Sequence, residues 1–263
     1  NPVGGVELTS ATQALLLGVF LYWGWDTAMS VNEETHAPAK TPGSSILIAT
    51  AALVGCYTMV AVALQAFAGT AALGGEDAGE DVFAAVAEPL LGSTGVTVLS
   101  IMVIVSAAAA LATTILPSSR TVFAMASYRA APRLFGRTNS HGTPSVATIG
   151  IGVAGCAFYV GMAAISDNML ADSILSISMA ICVYYAITGL TSAVWFARSA
   201  RGASALLTSV LLPGIGGLLM LLVLIRSAWD MADPEYGDTS LLGIGGALLI
   251  GAGSLLAGLV FMA

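Results

Sequence analysis

The chain has 263 residues, of which 57% are hydrophobic and only 9% are charged. Its mean hydropathy of +0.91 leaves too little polar surface to cover a water-soluble globule, so lipid is the expected solvent. The net charge of -7 and the lack of a basic patch with interleaved aromatic residues exclude a nucleic-acid partner. At roughly 20 apolar residues per span, the chain holds about six or seven transmembrane helices and no separate soluble domain.

Seven apolar segments indicate membrane spans, and together they predict a single transmembrane domain over residues 1–263. Because unsatisfied backbone groups are costly in hydrocarbon, each segment is expected to be helical, and none alternates like a barrel strand. The fold class is therefore all-α, a polytopic transmembrane helical bundle. The predicted spans are residues 13–31, 44–68, 96–116, 146–165, 170–196, 206–225 and 241–262.

The charges of the connecting loops indicate the orientation of the spans, because Lys and Arg gather on the cytoplasmic side. All Lys and Arg residues except Arg226 lie in the first, third and fifth loops, whereas the second, fourth and sixth loops are acidic. We therefore expect a protein that is integral to the cytoplasmic (inner) membrane. The N-terminus of this chain is expected outside, and its C-terminus in the cytoplasm.

Two further patterns leave alternatives open. Residues 81–91 have apolar positions at helical spacing, which is typical of an external lid over a vestibule or of an interfacial amphipathic helix. Gly243, Ala247 and Gly251 recur at every fourth position of the last span. This spacing favours close helix packing, either within the chain or in a dimer.

The first span carries an unusual cluster of aromatic and polar residues near its middle: Tyr22, Trp23, Gly24, Trp25, Asp26 and Thr27. An ionisable residue at this depth, Asp26, must face a protein interior or a water-filled cavity, and it marks a substrate or ion pathway. Gly24 weakens the helix, and a discontinuous helix exposes ends that bind ligand charges. Alternatively, Asp26 caps a second half-helix while Gly24 permits close helix packing.

Two stretches resemble the amino acid-polyamine-organocation (APC) superfamily of permeases. In the first, G-W-D at residues 24–26 is followed by E-E-x-x-x-P-x-K-x-P at residues 33–42, which is similar to the sixth span and following loop of that family. The second begins at Ser119-Arg120 and continues through F-A-M-A, P-R-L-F and G-T-P to residue 144. It resembles the family's loop after the eighth span.

The resemblance implies a LeuT-like (APC) fold in which this chain supplies family spans six to twelve and lacks the first five helices. Those N-terminal helices of the same protein are expected partners, because the family's first span holds the substrate's amino and carboxylate groups. The function that it implies is a secondary active transporter, or permease, here as an incomplete chain. It would move amino acids or related amines across the cytoplasmic membrane by alternating access.

The same resemblance assigns roles to the first span. Residues 22–27 would bind the substrate through backbone groups, with Trp23 or Trp25 as an aromatic gate. The acidic residue after the G-W pair departs from the commoner pattern, in which an aromatic residue precedes a Glu. Cationic and zwitterionic substrates therefore both stay open.

Charged and hydroxyl residues beyond this span also have implied roles. Glu33, Glu34 and Arg120 occupy the positions of the family's cytoplasmic gate charges, with interfacial anchoring as the alternative. In sodium-coupled relatives the eighth span carries hydroxyl ligands, which makes Ser106, Thr113 and Thr114 a possible cation site. Such hydroxyls mostly bond their own backbone, and H⁺ coupling or exchange is the alternative to Na⁺.

Neither enzyme activity nor a cofactor is expected. An intramembrane aspartyl protease would need a second catalytic Asp deep in another helix, whereas Asp167 and Asp172 lie near a membrane edge. A channel or structural membrane subunit without transport chemistry is the alternative function, although no ring of charge or carbonyl filter is visible. The three cysteines lie in apolar runs without metal-ligand spacing, which predicts buried, inert thiols and no metal site: Cys56, Cys156 and Cys182.

Overall fold

The computed structural model of the chain describes residues 7–30, 32, 35–37, 40–73, 78–166, 168–234, 236 and 239–260. Apart from one two-stranded hairpin, these residues form helices and their connections. The helices are α1 (Leu8–Leu21), α2 (Thr27–Ser30), α3 (Thr41–Leu73), α4 (Ala78–Ser127), α5 (Ser145–Ile165), α6 (Met169–Phe196), α7 (Ala203–Leu206), α8 (Leu212–Asp230) and α9 (Gly246–Val260). The strands are β1 (Ser240–Leu241) and β2 (Ile244–Gly245), which pair antiparallel.

Five helical segments in the described part of the chain are long and apolar enough to cross a bilayer: Thr41–Gly69, Leu91–Ser127, Ser145–Ile165, Met169–Phe196 and Ala203–Asp230. Two shorter apolar helices are Leu8–Leu21 and Gly246–Gly258. These lengths and compositions confirm the all-α, polytopic helical bundle. The count of seven spans in one domain stays a prediction.

The chain divides into two compact units, one formed by Asn1–Trp23 with Val153–Ala263 and the other by Gly24–Gly152. In the first unit, α6 is central and contacts α1, α8 and α9. In the second unit, α4 contacts α2, α3 and a 3₁₀ turn at Arg133–Gly136. The long apolar helices of the second unit expose many aliphatic side chains, as a surface in lipid should.

The core of the first unit forms where α1, α6 and α9 meet the segment after α8. Leu16, Met179, Cys182 and Met231 are buried there. Cys182 therefore has the burial that the sequence predicts. For Cys56 and Cys156 the prediction of burial is wrong, because both lie on exposed apolar helix surfaces.

Glycines set the close approach of α6 and α8. A Cβ atom at Gly189 would lie 2.7 Å from the Pro213 carbonyl oxygen, and one at Gly217 would lie 2.8 Å from the Leu190 backbone nitrogen. Only hydrogen fits at these two positions, so the helices pack backbone against backbone. A π-helical turn, Leu207–Leu211, joins α7 to α8 just before Pro213. This is where the missing N–H of proline predicts a helix irregularity.

The small-residue face of α9 packs within the chain. The Ser176 hydroxyl of α6 donates a hydrogen bond of 3.0 Å to the Ala247 carbonyl oxygen, and a Cβ at Gly251 would lie 3.3 Å from the Met179 sulfur. Gly243 does not belong to this face, so its expected place on the last helix is wrong. It lies in the hairpin turn, where Leu242 and Gly243 both have positive φ (57° and 80°), as a tight turn between strands requires.

Residues 81–91 are helical and belong to α4, as their apolar spacing predicts. Gly92 follows with φ +65°, a value that favours glycine and marks the junction with the membrane-crossing segment that ends at Ser127. Whether this helix is an external lid or an interfacial helix stays open.

Candidate functional site

The first helical segment is interrupted between Leu21 and Thr27. α1 ends at Leu21, residues 22–26 form turns, and α2 begins at Thr27. The Trp23 N–H donates to the Phe20 carbonyl at 3.2 Å, and the Thr27 N–H donates to the Gly24 carbonyl at 3.1 Å. Both bonds reach back three residues instead of the four of an α-helix. The interruption that the sequence predicts is therefore present.

Gly24 provides the backbone conformation of this break. Its φ is +104°, and a Cβ built there would meet no atom within 4 Å. The constraint is therefore conformational and not one of space, because L-residues are strained at this φ. α1 has 14 residues, or about 21 Å at 1.5 Å per residue. If α1 starts at the membrane surface, the break lies inside a hydrocarbon core of about 30 Å.

The side chains around the break differ in exposure. Asp26 is half-buried, as are Tyr22 and Thr27, whereas Trp23 and Trp25 are exposed. Among the described residues, no backbone N–H donates to the Asp26 carboxylate; its carbonyl oxygen accepts the Met29 N–H at 2.9 Å. The capping alternative for the Asp26 side chain therefore gains no support from the described residues.

Of the three residues of the expected cytoplasmic gate, Arg120 is among the described residues. Glu33 and Glu34 lie outside the described residues. Arg120 stands near the end of α4 and lines a cavity of about 550 Å³ with Ser119, His141 and Thr143. The loop that carries His141 and Thr143 is fixed by Asn139, whose side-chain oxygen accepts both of their backbone N–H groups at 2.9 Å.

The three candidate cation ligands all lie on α4 and are exposed. The hydroxyls of Thr113 and Thr114 each donate to the Ala110 carbonyl at 2.9 Å, the local bonding expected inside a membrane helix. This donation uses the hydroxyl hydrogen and leaves oxygen lone pairs for a cation. The role of Ser106, Thr113 and Thr114 stays a prediction. Within the described ranges, no group of three His, Cys, Asp or Glu side chains is placed to hold a metal ion.

The sequence model of one family, the amino acid permeases, matches residues 4–248. The chain belongs to the amino acid permease family. No curated protein and no solved structure matches it. Membership confirms the resemblance to the APC superfamily and assigns this permease to the transporters of amino acids. By family membership, its partners are a small-molecule substrate and a lipid bilayer. The family consists of transporters rather than enzymes.

The permease also contains buried acidic groups for which no role was predicted. Asp172 is 1% exposed, and its Oδ2 accepts a 2.6 Å hydrogen bond from the Ser166 hydroxyl. Asp230 is 8% exposed, and its Oδ1 lies 2.7 Å from Nη2 of Arg226. The pair of Arg226 and Asp230 could have been predicted from the sequence, because opposite charges four residues apart on a helix lie next to each other. Arg226, which the predicted span left in an acidic loop, therefore lies in α8 beside its carboxylate partner.

Proposed function

We propose that this permease moves amino acids or related amines across the cytoplasmic membrane by alternating access, with residues 22–27 lining the central substrate site. The observation that supports this most directly is the helix break at Gly24 beside the half-buried Asp26. A break in a helix leaves N–H and C=O groups without intrahelical partners, and in a membrane such groups must find others. The ammonium and carboxylate of an amino acid are suitable partners.

The proposal places the chain within a larger permease. By the APC resemblance, its helices correspond to family spans six to twelve, and the preceding helices of the same protein would complete the substrate site. Loops rich in Lys and Arg would face the cytoplasm, which puts the start of α1 outside and the end of α9 inside. The exposed ring of Trp23 or of Trp25 would close over the substrate.

The cytoplasmic gate is proposed to involve Glu33, Glu34 and Arg120. Arg120 lines a cavity at the end of α4, and α4 contacts α2, the half-helix that follows the break. Movement of α2 relative to α4 would therefore alter the surroundings of the gate and of the substrate segment together. Coupling between these two regions is what alternating access requires.

The driving ion is proposed to be H⁺ or Na⁺, and the two differ in the residues that they require. A Na⁺ site would use the hydroxyl oxygens of Ser106, Thr113 and Thr114. Uptake into proteoliposomes should then depend on Na⁺ and fall when Thr113 is replaced by Val. Uptake that persists in choline buffer and follows an imposed pH gradient would instead assign the coupling to H⁺.

The first test of the site changes Gly24 alone. We expect Gly24→Ala in the complete permease to reduce substrate uptake at least about tenfold, since a strain of about 1–3 kcal/mol will shift the backbone that holds the substrate. Gly202→Ala is the matched control, because Gly202 also has a positive φ (+89°) and open space around it but lies in a loop before α7. Equal uptake by the two variants would refute the role of the break.

The second test changes the carboxylate. Asp26→Asn keeps the size of the side chain and removes its charge, so uptake of cationic substrates should be lost while membrane insertion and expression stay normal. Glu88→Gln removes a carboxylate that is exposed and outside the proposed site, and it should transport as the parent does. Normal uptake by Asp26→Asn would remove Asp26 from the substrate pathway.

A further inference from the structure

A second cavity lies in the unit formed by α1, α6, α8 and α9, beside the start of α1. Its volume is about 510 Å³, which is large enough for a small organic molecule. It opens between the start of α1 and the segment that follows α8. Its lining residues are Thr9, Trp229, Asp230, Ala232, Asp233 and Tyr236.

Two carboxylates line this cavity, and one of them has a buried oxygen atom without a hydrogen-bond partner. Asp230 is 8% exposed, and its Oδ1 is paired with Arg226, but its Oδ2 is buried and has no hydrogen-bond partner in the described part of the chain. A second carboxylate, that of Asp233, lines the same cavity. A buried carboxylate oxygen without a partner is costly, so a cationic group that completes its bonding would bind favourably.

The hydroxyl of Tyr236 is a second buried polar group beside this cavity. Tyr236 is 7% exposed, and its hydroxyl completes no hydrogen bond of standard geometry among the described residues, although the Gln13 side chain lies near it. A hydroxyl can accept as well as donate. Two residues that line the cavity thus each carry a buried oxygen atom, one anionic and one neutral, that can accept from a donor with several N–H groups.

The character of the lining favours an organic cation over a metal ion. Trp229 and Tyr236 provide aromatic rings, which attract ammonium groups through their π-faces. A metal ion would need several oxygen or nitrogen ligands at close range, and the described residues contain no cluster of three His, Cys, Asp or Glu side chains. The acidic lining also opposes the entry of a free anion.

We propose that this cavity binds the ammonium group of a small organic amine, at a site separate from residues 22–27. The ammonium would donate to Asp230 Oδ2 and to the Tyr236 hydroxyl while its carbon chain contacts the ring of Trp229. By the charge of the loops the cavity opens to the outside, so an amine would bind here before it reaches the central site. That external role rests on the proposed function, whereas binding itself does not.

The experiment measures binding of n-propylammonium chloride to the complete permease in nanodiscs by isothermal titration calorimetry, with n-propanol as the neutral probe of similar shape. Binding of n-propylammonium but not of n-propanol is expected. Asp230→Asn should weaken binding about tenfold to a hundredfold, the range for a hydrogen bond to a charged group. Asp233→Asn, which changes an exposed residue, should weaken it less and gives a result even if Asp230→Asn folds poorly.

Asp26→Asn separates this proposal from the proposed function. It should abolish uptake of cationic substrates and leave in place the n-propylammonium binding that depends on Asp230 if both proposals hold. Binding that is unaffected by both Asp230→Asn and Asp233→Asn would overturn the cavity site, whatever happens to uptake. An affinity for n-propanol equal to that for n-propylammonium would overturn it as well. So would displacement of bound n-propylammonium by Na⁺ at an equal concentration.

Discussion

The Ser166 hydroxyl donates a hydrogen bond of 2.6 Å to Oδ2 of Asp172, and this carboxylate is almost completely buried. Asp172 stands in the first turn of α6, where the free N–H groups of the helix favour negative charge. The Thr239 hydroxyl reaches the Ser166 oxygen at 3.4 Å, which links the segment before β1 to the start of α6. The carboxylate therefore connects α5, α6 and the hairpin at one end of the unit.

Removal of this carboxylate should destabilise the permease. We expect Asp172→Ala to lower stability by about 1 kcal/mol, because the half-buried Ser166 hydroxyl loses its charged acceptor. Thr188→Ala is the control, because Thr188 is exposed on α6 and its hydroxyl donates to the Tyr184 carbonyl of the same helix. Thermal unfolding followed by size-exclusion chromatography in detergent measures both. A midpoint for Asp172→Ala equal to that of the control would show that the bond contributes nothing.

Neighbouring glycines on α8 should respond differently to the same substitution. A Cβ at Gly217 would lie 2.8 Å from the Leu190 nitrogen, whereas one at Gly216 would meet nothing within 4 Å. Gly217→Ala should therefore destabilise the permease by about 1–3 kcal/mol through overpacking against α6. Gly216→Ala should leave stability unchanged or raise it by up to about 1 kcal/mol, because Ala favours the helix.

The thermal midpoints of the two alanine variants test the α6–α8 contact directly. They differ by one position and share the same chemical change, so expression and detergent effects cancel. A Gly217→Ala variant as stable as Gly216→Ala would contradict the close approach of the two helices.

Several features of this structure could be predicted from the sequence because they depend on local composition. Long apolar runs must be helical in lipid, and Gly24 followed by Asp26 indicates a break, since glycine weakens a helix and a carboxylate needs a polar environment. The burial of Asp172 could not be predicted. The carboxylate is bonded by Ser166, and Ser166 is in turn contacted by Thr239, which is 73 residues further along the chain.

The hairpin before α9 could not be predicted from the sequence either. Hydropathy extends the last span back to residue 241, and Gly243 fits the four-residue spacing of Ala247 and Gly251. The pairing of β1 with β2 requires positive φ at Leu242 and Gly243, and it removes Gly243 from the helix. A non-β-branched apolar residue such as Leu242 gives no sequence signal for that conformation, so periodicity alone misplaces the start of the helix.

The phenol of Tyr236 should make stability depend on alkaline pH. Burial raises its pKa above the ordinary value of 10.0; the nearby Gln13 lowers it, and the charge of Asp230 raises it further. A raised pKa means that the folded state favours the neutral phenol. Its stabilising contribution is complete below pH 10 and is lost as the pH rises through the pKa of the folded state.

The comparison of parent and Tyr236→Phe isolates this contribution, because all other groups titrate in both proteins. Between pH 9 and about pH 11.5, the thermal midpoint of the parent should fall more steeply than that of Tyr236→Phe. The two should have parallel profiles below pH 9. Parallel profiles over the whole range would show that Tyr236 titrates as an exposed phenol does.

The orientation inferred from charge can be tested at two loops on opposite sides. Ser199 follows α6 next to Arg198, and Ser240 begins β1 after the acidic segment; both are exposed. In a background with the native cysteines replaced by Ala, Ser240→Cys in intact cells should react with a membrane-impermeant maleimide, whereas Ser199→Cys should react only after the membrane is opened. The reason is that Lys and Arg are retained on the cytoplasmic side. The reverse labelling pattern would invert the topology and place the amine cavity on the cytoplasmic face.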